Sequence, residues 1–553
     1  MYFIPTIFLE RNKMMSYPNW LYTSVGYEIY PRSFYDSNQD GVGDIRGIIE
    51  KIDYLKHLGI NLLWVGPFYP SPLDDNGYDV IDHRDVDDRL GTLDDIKELI
   101  DECHKRDIKI IFDYIMTQTS DEHPWFIESR QSVTSKNREY YIWSKEPNNW
   151  GSLFGGSAWN YDETSNEYYL KIFSDKMPDL NWSNPKVRSE MFALAKYWLD
   201  LGADGFRMDA IAHLGKDMTL THSRKKLDED GIAPDWSKFS NRDALYDYLE
   251  ELKTKVFDRY DMVSIGEVGG GAKLRDAYKY TKTIDMVFNF DACWCLDENK
   301  QTDVLELKQV INYWITGMKN KGYLLPQYWL NHDHPRVMSQ YGDENNPKVS
   351  GKMLATILLF LYGVPFIYNG EEIGMTNAKY TKIEDFKDVS SQNYIRLNKH
   401  RKTEKEILNH LLFNSRDHGH LPMQWSATKY AGFSTTTPYL KVNSDYKTVN
   451  VEDQLKDEDS LLNFYRQAIN LRINSEYTNT FIHGDFKLIE EKSKSIFGYI
   501  REDDNYTITI LANMKNKKVT YKEQDSEIIL SNLKTHTANE LQPYESIVMV
   551  NKK

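Results

Sequence analysis

From about Tyr27 to Tyr368 the chain repeats one unit, a short apolar strand-like run followed by a helical pattern. The runs are 26–30, 62–65, 108–115, 205–209, 262–267, 286–290, 328–332 and 365–368. Strand and helix in strict alternation call for parallel strands joined by crossovers, and eight of them close into a (β/α)8 TIM barrel of the α/β class. Functional residues then belong at the C-terminal ends of the strands. The polar and aromatic stretch 116–182 is too long for a βα loop and predicts an inserted small domain after strand 3. A charged, helix-rich stretch, 375–450, follows the eighth run, and beyond it runs such as 495–500 and 506–511 alternate as short strands, predicting a C-terminal all-β domain. The expected division is a barrel over 16–115 and 183–475, an inserted domain over 116–182, and a C-terminal β-sandwich over 476–553.

With 553 residues the chain exceeds one ordinary core, and 41% hydrophobic with 13% aromatic content suits large globular domains. A formal net charge of −15 argues against nucleic acid or an anionic membrane as partner and leaves small neutral molecules. No apolar run is long enough to span a bilayer. Cys103, Cys293 and Cys295 are too few for a disulfide framework, and the Cys293-Trp294-Cys295 pair is too close for an unstrained bridge. Reduced thiols in a cytoplasmic protein are the expectation. The opening run from Tyr2 to Leu9 has no basic leader and no small-residue cleavage site, so it does not read as a signal peptide; residues before Met14 or Met15 read as an upstream start.

Three of the runs close on, or are followed at once by, an acid: Asp209, Glu267 and Asp333. Breaking a glycosidic bond with retention needs a carboxylate nucleophile and a protonated carboxyl, about 5–5.5 Å apart. Arg207 lies two positions before Asp209, on the same face of a strand, and is expected to keep that carboxylate ionised. Glu267 follows an apolar run with no adjacent cation, which predicts a raised pKa and an acid/base role. Asp333, between His332 and His334 and near Arg336, is placed to stabilise positive charge on the sugar.

At these residues the chain resembles the alpha-amylase family, glycoside hydrolase family 13, in its oligo-1,6-glucosidase and alpha-glucosidase group. The likeness extends to Tyr30-Pro31-Arg32-Ser33-Phe34, Asn76-Gly77-Tyr78-Asp79, Met177-Pro178-Asp179-Leu180-Asn181-Trp182, Gly370-Glu371-Glu372-Ile373-Gly374-Met375-Thr376 and Pro422-Met423-Gln424-Trp425. It implies that Asp209 is the nucleophile, Glu267 the acid/base and Asp333 the third carboxylate. It further implies substrate contacts from Asp75, Tyr78, Gln118, Arg207, His332, Arg336 and His420, and places His213 near the cleft. The loop from Asp36 to Asp44 offers oxygens at alternate positions with Gly41 at its turn; Gly47 at the twelfth position excludes an EF-hand. Here the resemblance implies a structural Ca2+ or Mg2+ held by Asp36, Asn38, Asp40, the Val42 carbonyl and Asp44, against a metal-free Asx-turn.

Two departures touch the sugar-reading edge. Where the family has Asn-His after the third strand this chain has Thr117-Gln118, and where it has Arg before the Pro-Met-Gln-Trp motif this chain has His420. Ala210 follows the nucleophile; a small residue there is associated in this group with α-1,4 rather than α-1,6 substrates. The expectation is a retaining alpha-glycosidase acting on short oligosaccharides, α-1,4 favoured. A transglycosylase on the same intermediate, and a weakly active or non-catalytic sugar-binding protein of the same fold, stay open.

Overall fold

The computed structural model describes residues 17–522 and 525–553. The N-terminal run from Tyr2 to Leu9 and the start residues Met14 and Met15 lie outside the described residues. Eight parallel strands form the barrel: β1 (Gly26–Ile29), β2 (Leu62–Val65), β3 (Lys109–Ile115), β4 (Gly205–Asp209), β5 (Val263–Glu267), β6 (Met286–Phe288), β7 (Pro326–Gln327) and β8 (Val364–Tyr368). Their hydrogen-bonded order, β7-β8-β1-β2-β3-β4-β5-β6, leaves one unladdered seam among the described residues, between β6 and β7. Leu62, Leu63, Ile110, Ile111, Phe206, Val263, Ile265 and Ile367 are wholly buried, as strands covered on both faces require.

The seventh strand lies at 326–327, two residues earlier than the run 328–332 expected from sequence. That apolar run is buried for another reason. The Tyr328 hydroxyl donates across the seam to the Asn289 carbonyl, Trp329 Nε1 donates to the Leu354 carbonyl at 3.1 Å, and His332 turns into the barrel mouth. Side chains rather than a ladder hold it.

Helices fill the crossovers, and their starts are legible. Thr92 and Asp95 make a reciprocal capping box on the helix Leu93–His104, and Asn184 caps the helix Pro185–Asp200 with Pro at its first turn. Between β3 and β4 a three-stranded antiparallel sheet, Trp143–Ser144, Glu167–Leu170 and Trp159–Asp162, has its own core around Trp150, Trp159 and Ile172. This is the inserted domain. After β8 come helices Val389–Asn398, Glu404–Asn414 and Leu461–Ile473. The chain ends in an antiparallel five-stranded sheet of β9 (Asp485–Ile489), β10 (Ile496–Glu502), β11 (Tyr506–Asn513), β12 (Glu527–Ser531) and β13 (Ser546–Lys552), beside a two-stranded ribbon. Lys308 Nζ anchors it to the barrel through the carbonyls of Ser493 (2.6 Å) and Ile496 (3.2 Å).

Gly205 opens the strand that carries Arg207 and Asp209. Its φ is +145°, and a Cβ there would stand 1.9 Å from the Val263 carbonyl oxygen of the neighbouring strand. Backbone cannot yield as a flexible side chain would. Gly205→Ala is therefore expected to cost at least about 2 kcal/mol, read as a lower unfolding midpoint; an unchanged midpoint would refute this account.

Candidate active site

Asp209 and Glu267 end β4 and β5, and both bond to one guanidinium. Arg207 Nη1 donates to Asp209 at 2.7 Å and to Asp113 of β3 at 2.6 Å, while Nη2 donates to Glu267. Asp113 stands opposite Arg207 in the strand register, so the pairing is fixed by backbone alignment. The expectation that Glu267 has no adjacent cation is thus corrected: strand five brings it onto the same arginine. Burial raises the pKa of both Asp209 and Glu267, and Arg207 offsets this only in part. Arg207 does not reserve ionisation for Asp209, as had been expected; the buried pair shares one cation and retains protons to higher pH than ordinary carboxyls.

Asp333 behaves differently. Burial opposes its ionisation, but the charges of His332, Arg416 and Arg207 overcome this and hold its pKa below the usual carboxylate range. His332 Nδ1 meets Glu28 of β1 at 2.5 Å, and Nε2 lies 2.7 Å from the Tyr78 hydroxyl, which itself donates to Asp113 at 3.1 Å. A doubly protonated ring satisfies both contacts. Burial lowers the His332 pKa, but Asp333 and Glu28 outweigh it and push the value up to about 9.

Asp75, Tyr78, Gln118, Asp209, Glu267 and Asp333 line one cavity of about 300 Å3 with Phe154, Phe173, Met177, Ala210, Phe290, Trp294, His334 and Arg416. A larger hollow of about 900 Å3, around Asp258, Tyr260 and Asp285, contains none of the three acids. Gln118 is buried; its amide N–H donates to the Tyr78 carbonyl at 3.4 Å, and its Oε1 has no protein partner among the described residues. A buried acceptor without a partner is uncommon in a folded protein.

Arg207 and His332 sit beneath the cavity as supports. Arg336 and His420 are corrections. Arg336 is buried and spends its guanidinium on the carbonyls of His418 (2.9 Å), Asn369 (2.5 Å) and Gly419 (3.0 Å), so it ties down a loop instead of meeting a ligand. His420 is buried against Tyr30, ring centroids 4.6 Å apart, outside the cavity wall. His213 bonds Ser240 Oγ at 2.9 Å one layer back, where it packs on Phe173. The residue that sequence reasoning missed is Arg416. Its guanidinium meets Asp75 (2.5 Å), Asp388 (2.8 Å) and Asp333 (3.0 Å) at one end of the cavity. The available signal was a second arginine four positions before His420, between Ser415 and Asp417.

In the loop 36–44, Asp36 accepts the N–H groups of Gln39 (2.6 Å) and Gly41 (2.8 Å), Asn38 that of Asp40 (3.0 Å), and Asp40 that of Val42 (2.8 Å). Asp44 caps the helix Ile45–Glu50 through the Gly47 N–H at 2.6 Å. The loop's own amides thus hold its carboxylates, and among the described residues no three His, Cys, Asp or Glu side chains gather as a metal-binding group. The donors are all oxygen, the set a hard cation takes.

The description "Alpha amylase, catalytic domain" matches residues 28–480. The chain belongs to the alpha-amylase family. Oligo-1,6-glucosidase of Parageobacillus thermoglucosidasius is 40% identical over 94% of this chain and 96% of its own length, and that of Bacillus cereus 39% identical over 96% and 99%. Among solved structures, trehalose-6-phosphate hydrolase of Bacillus licheniformis superposes with a TM-score of 0.89 at 36% identity, covering 97% of this chain and 100% of that one. Trehalulose synthase of Pseudomonas mesoacidophila MX-45 gives 0.90 at 34%, covering 96% and 99%. Membership in the alpha-amylase family makes this chain a glycoside hydrolase and sets aside the non-catalytic reading. No described helix is long and apolar enough to cross a membrane.

The His332 contacts carry a pH dependence. A pKa raised to about 9 means that the stabilisation is fully present below the unfolded value near 6.5 and is lost as pH rises through 9. Glu28→Gln removes one source of that shift. The gap in unfolding midpoint between parent and variant is expected to be widest near pH 6.5 and to narrow towards pH 9; a constant gap would count against the charged His332.

Proposed function

We propose that this chain is a retaining alpha-glycosidase that hydrolyses α-glucosidic bonds of short oligosaccharides through a covalent glycosyl-enzyme. The observation that carries this is the bridging of Asp209 and Glu267 by one buried guanidinium at the cavity floor, with an ionised Asp333 on the same wall. The division of labour follows the family likeness. Asp209 attacks the anomeric carbon as Glu267 passes its proton to the leaving oxygen. Burial raises the Glu267 pKa, the direction a proton donor needs. Asp333 opposes the positive charge that builds on the ring. Water then adds to the anomeric carbon, Glu267 takes its proton, and Asp209 is released.

Asp75 and Arg416 close the end of the cavity that would read the terminal hydroxyls, with Gln118 in the same wall and Tyr78 as a ring face. Ala210 contributes only a methyl to the wall, which supports a preference for α-1,4 over α-1,6 linkages; the names of the oligo-1,6-glucosidase relatives point the other way. Transfer to a sugar instead of water uses the same intermediate, and a trehalulose synthase is among the structural relatives. Three buried free thiols support a cytoplasmic setting.

The parent should release the α-anomer first, resolved by NMR of the fresh product, and cleave maltose faster than isomaltose. Asp209→Asn should lower kcat/KM on the disaccharide by at least about 10^3-fold and Glu267→Gln by roughly 10^2–10^4-fold. A β-anomer, or a fully active variant, would sink the mechanism, and faster isomaltose cleavage would reverse the linkage preference.

We also propose that Ca2+, or Mg2+, is taken by Asp36, Asn38, Asp40, the Val42 carbonyl and Asp44, supported by their alternating, all-oxygen donors. The ion would stiffen the loop and take no part in the chemistry. Added Ca2+ should raise the unfolding midpoint relative to chelator, and Asp40→Ala should remove the rise. A parent indifferent to both would end the proposal.

A further inference from the structure

The Cys293-Trp294-Cys295 triplet plays no part in the acid chemistry, yet it reaches the cavity. Both cysteines are buried to 1% exposure, whereas the tryptophan between them is 43% exposed. The neighbours are pinned: the Cys293 carbonyl accepts Gln340 Nε2 at 2.6 Å, and the Cys295 N–H donates to the Tyr341 hydroxyl at 3.1 Å. With both flanking side chains turned inward, the indole is left outside, in the wall of the cavity that holds the three acids. Its ring centroid lies 5.7 Å from that of His334, and Phe290 lies 5.6 Å from the same His334. An indole this exposed leaves an apolar face free for a ligand.

The strand order says which part of a substrate that face meets. Asp75 and Tyr78 follow β2, and Arg416 follows β8; both flank β1. Glu267 ends β5, and Phe290 and Trp294 follow β6, across the ring from β1 and β2. Phe290 Cε2 would touch a Cβ on Gly269, two residues beyond Glu267, at 3.7 Å. The aromatic wall therefore continues from the acid that protonates the leaving group, opposite the charged end that closes on the terminal sugar.

We propose that Trp294, flanked by Phe290 and His334, is the aglycone platform: it stacks on the ring that Glu267 releases and selects substrates whose leaving group presents a pyranose face. This rests on the glycosidase reading above. The Cys-Trp-Cys spacing serves it by anchoring the turn on both sides of the indole. Trp294 is a specificity determinant and needs no contact with the reacting atoms.

The test compares α-glucosyl fluoride, whose leaving group has no ring, with the disaccharide and trisaccharide that the parent cleaves best. Trp294→Ala should lower kcat/KM on the two sugars by about tenfold, mainly through KM, and leave the fluoride within about twofold; Trp294→Phe should recover most of the loss. An unaltered disaccharide and trisaccharide, or an equal fall on the fluoride, would overturn the platform while the parent's activity leaves the glycosidase reading standing. A parent inert on every substrate would overturn both.

Discussion

The buried guanidinium of Arg207 is the interaction on which the rest of the site depends. A cation taken wholly out of water is strongly unfavourable unless it is paired and hydrogen-bonded. Asp113, Asp209 and Glu267 supply the pairing from three adjacent strands. One positive charge among three carboxyls leaves a surplus of negative charge, so burial raises the acidic pKa values without the cation erasing the effect. The Asp333 pKa is held down because, beyond Arg207, it has His332 and Arg416 beside it. Neighbouring carboxyls with pKa values driven in opposite directions are what acid and electrostatic roles in one cleft require.

A second charged cluster, centred on Arg416, closes the other end of the cavity. It lies just after the helix Glu404–Asn414, in a segment that Arg336 ties to the end of β8 by binding the carbonyls of His418 and Gly419 together with that of Asn369. The two arginines thus divide the labour, one gripping carbonyls so that the other can grip carboxylates. The changed residues Gln118 and His420 fall unequally around this cluster. Gln118 lines the cavity wall, whereas His420 stacks on Tyr30 behind it; Gln118 Oε1 and His420 Nε2 are both buried without a partner among the described residues.

Much of the fold was legible because each barrel strand is a buried apolar run with punctuation on both sides. Strand β7 was misplaced for a physical reason: Tyr328 to His332 is largely buried like a strand, yet side chains hold it, Tyr328 across the seam and Trp329 to the Leu354 carbonyl, while its backbone leaves the ladder. Of the site, the residues that end strands or follow β2 and β3 directly, Asp209, Glu267, Asp75, Tyr78 and Gln118, do line the cavity. Arg336 and His420 were drawn in by nearness to other motifs, and sequence nearness carries no direction for a side chain. Arg416 was passed over because an arginine among polar residues is ordinary until its partners are known.

The sequence by itself determined the alternating architecture, the insertion after β3, the terminal sheet and the presence of acids at strand ends, since periodicity and loop length are local properties. Only the tertiary structure decided that Glu267 shares the arginine of Asp209, that Arg416 and not His420 closes the cavity, and that Trp294 faces the same space as the acids. Each of these is a contact between segments far apart along the chain, set by strand register and the closure of the barrel, and no local pattern of residues encodes it.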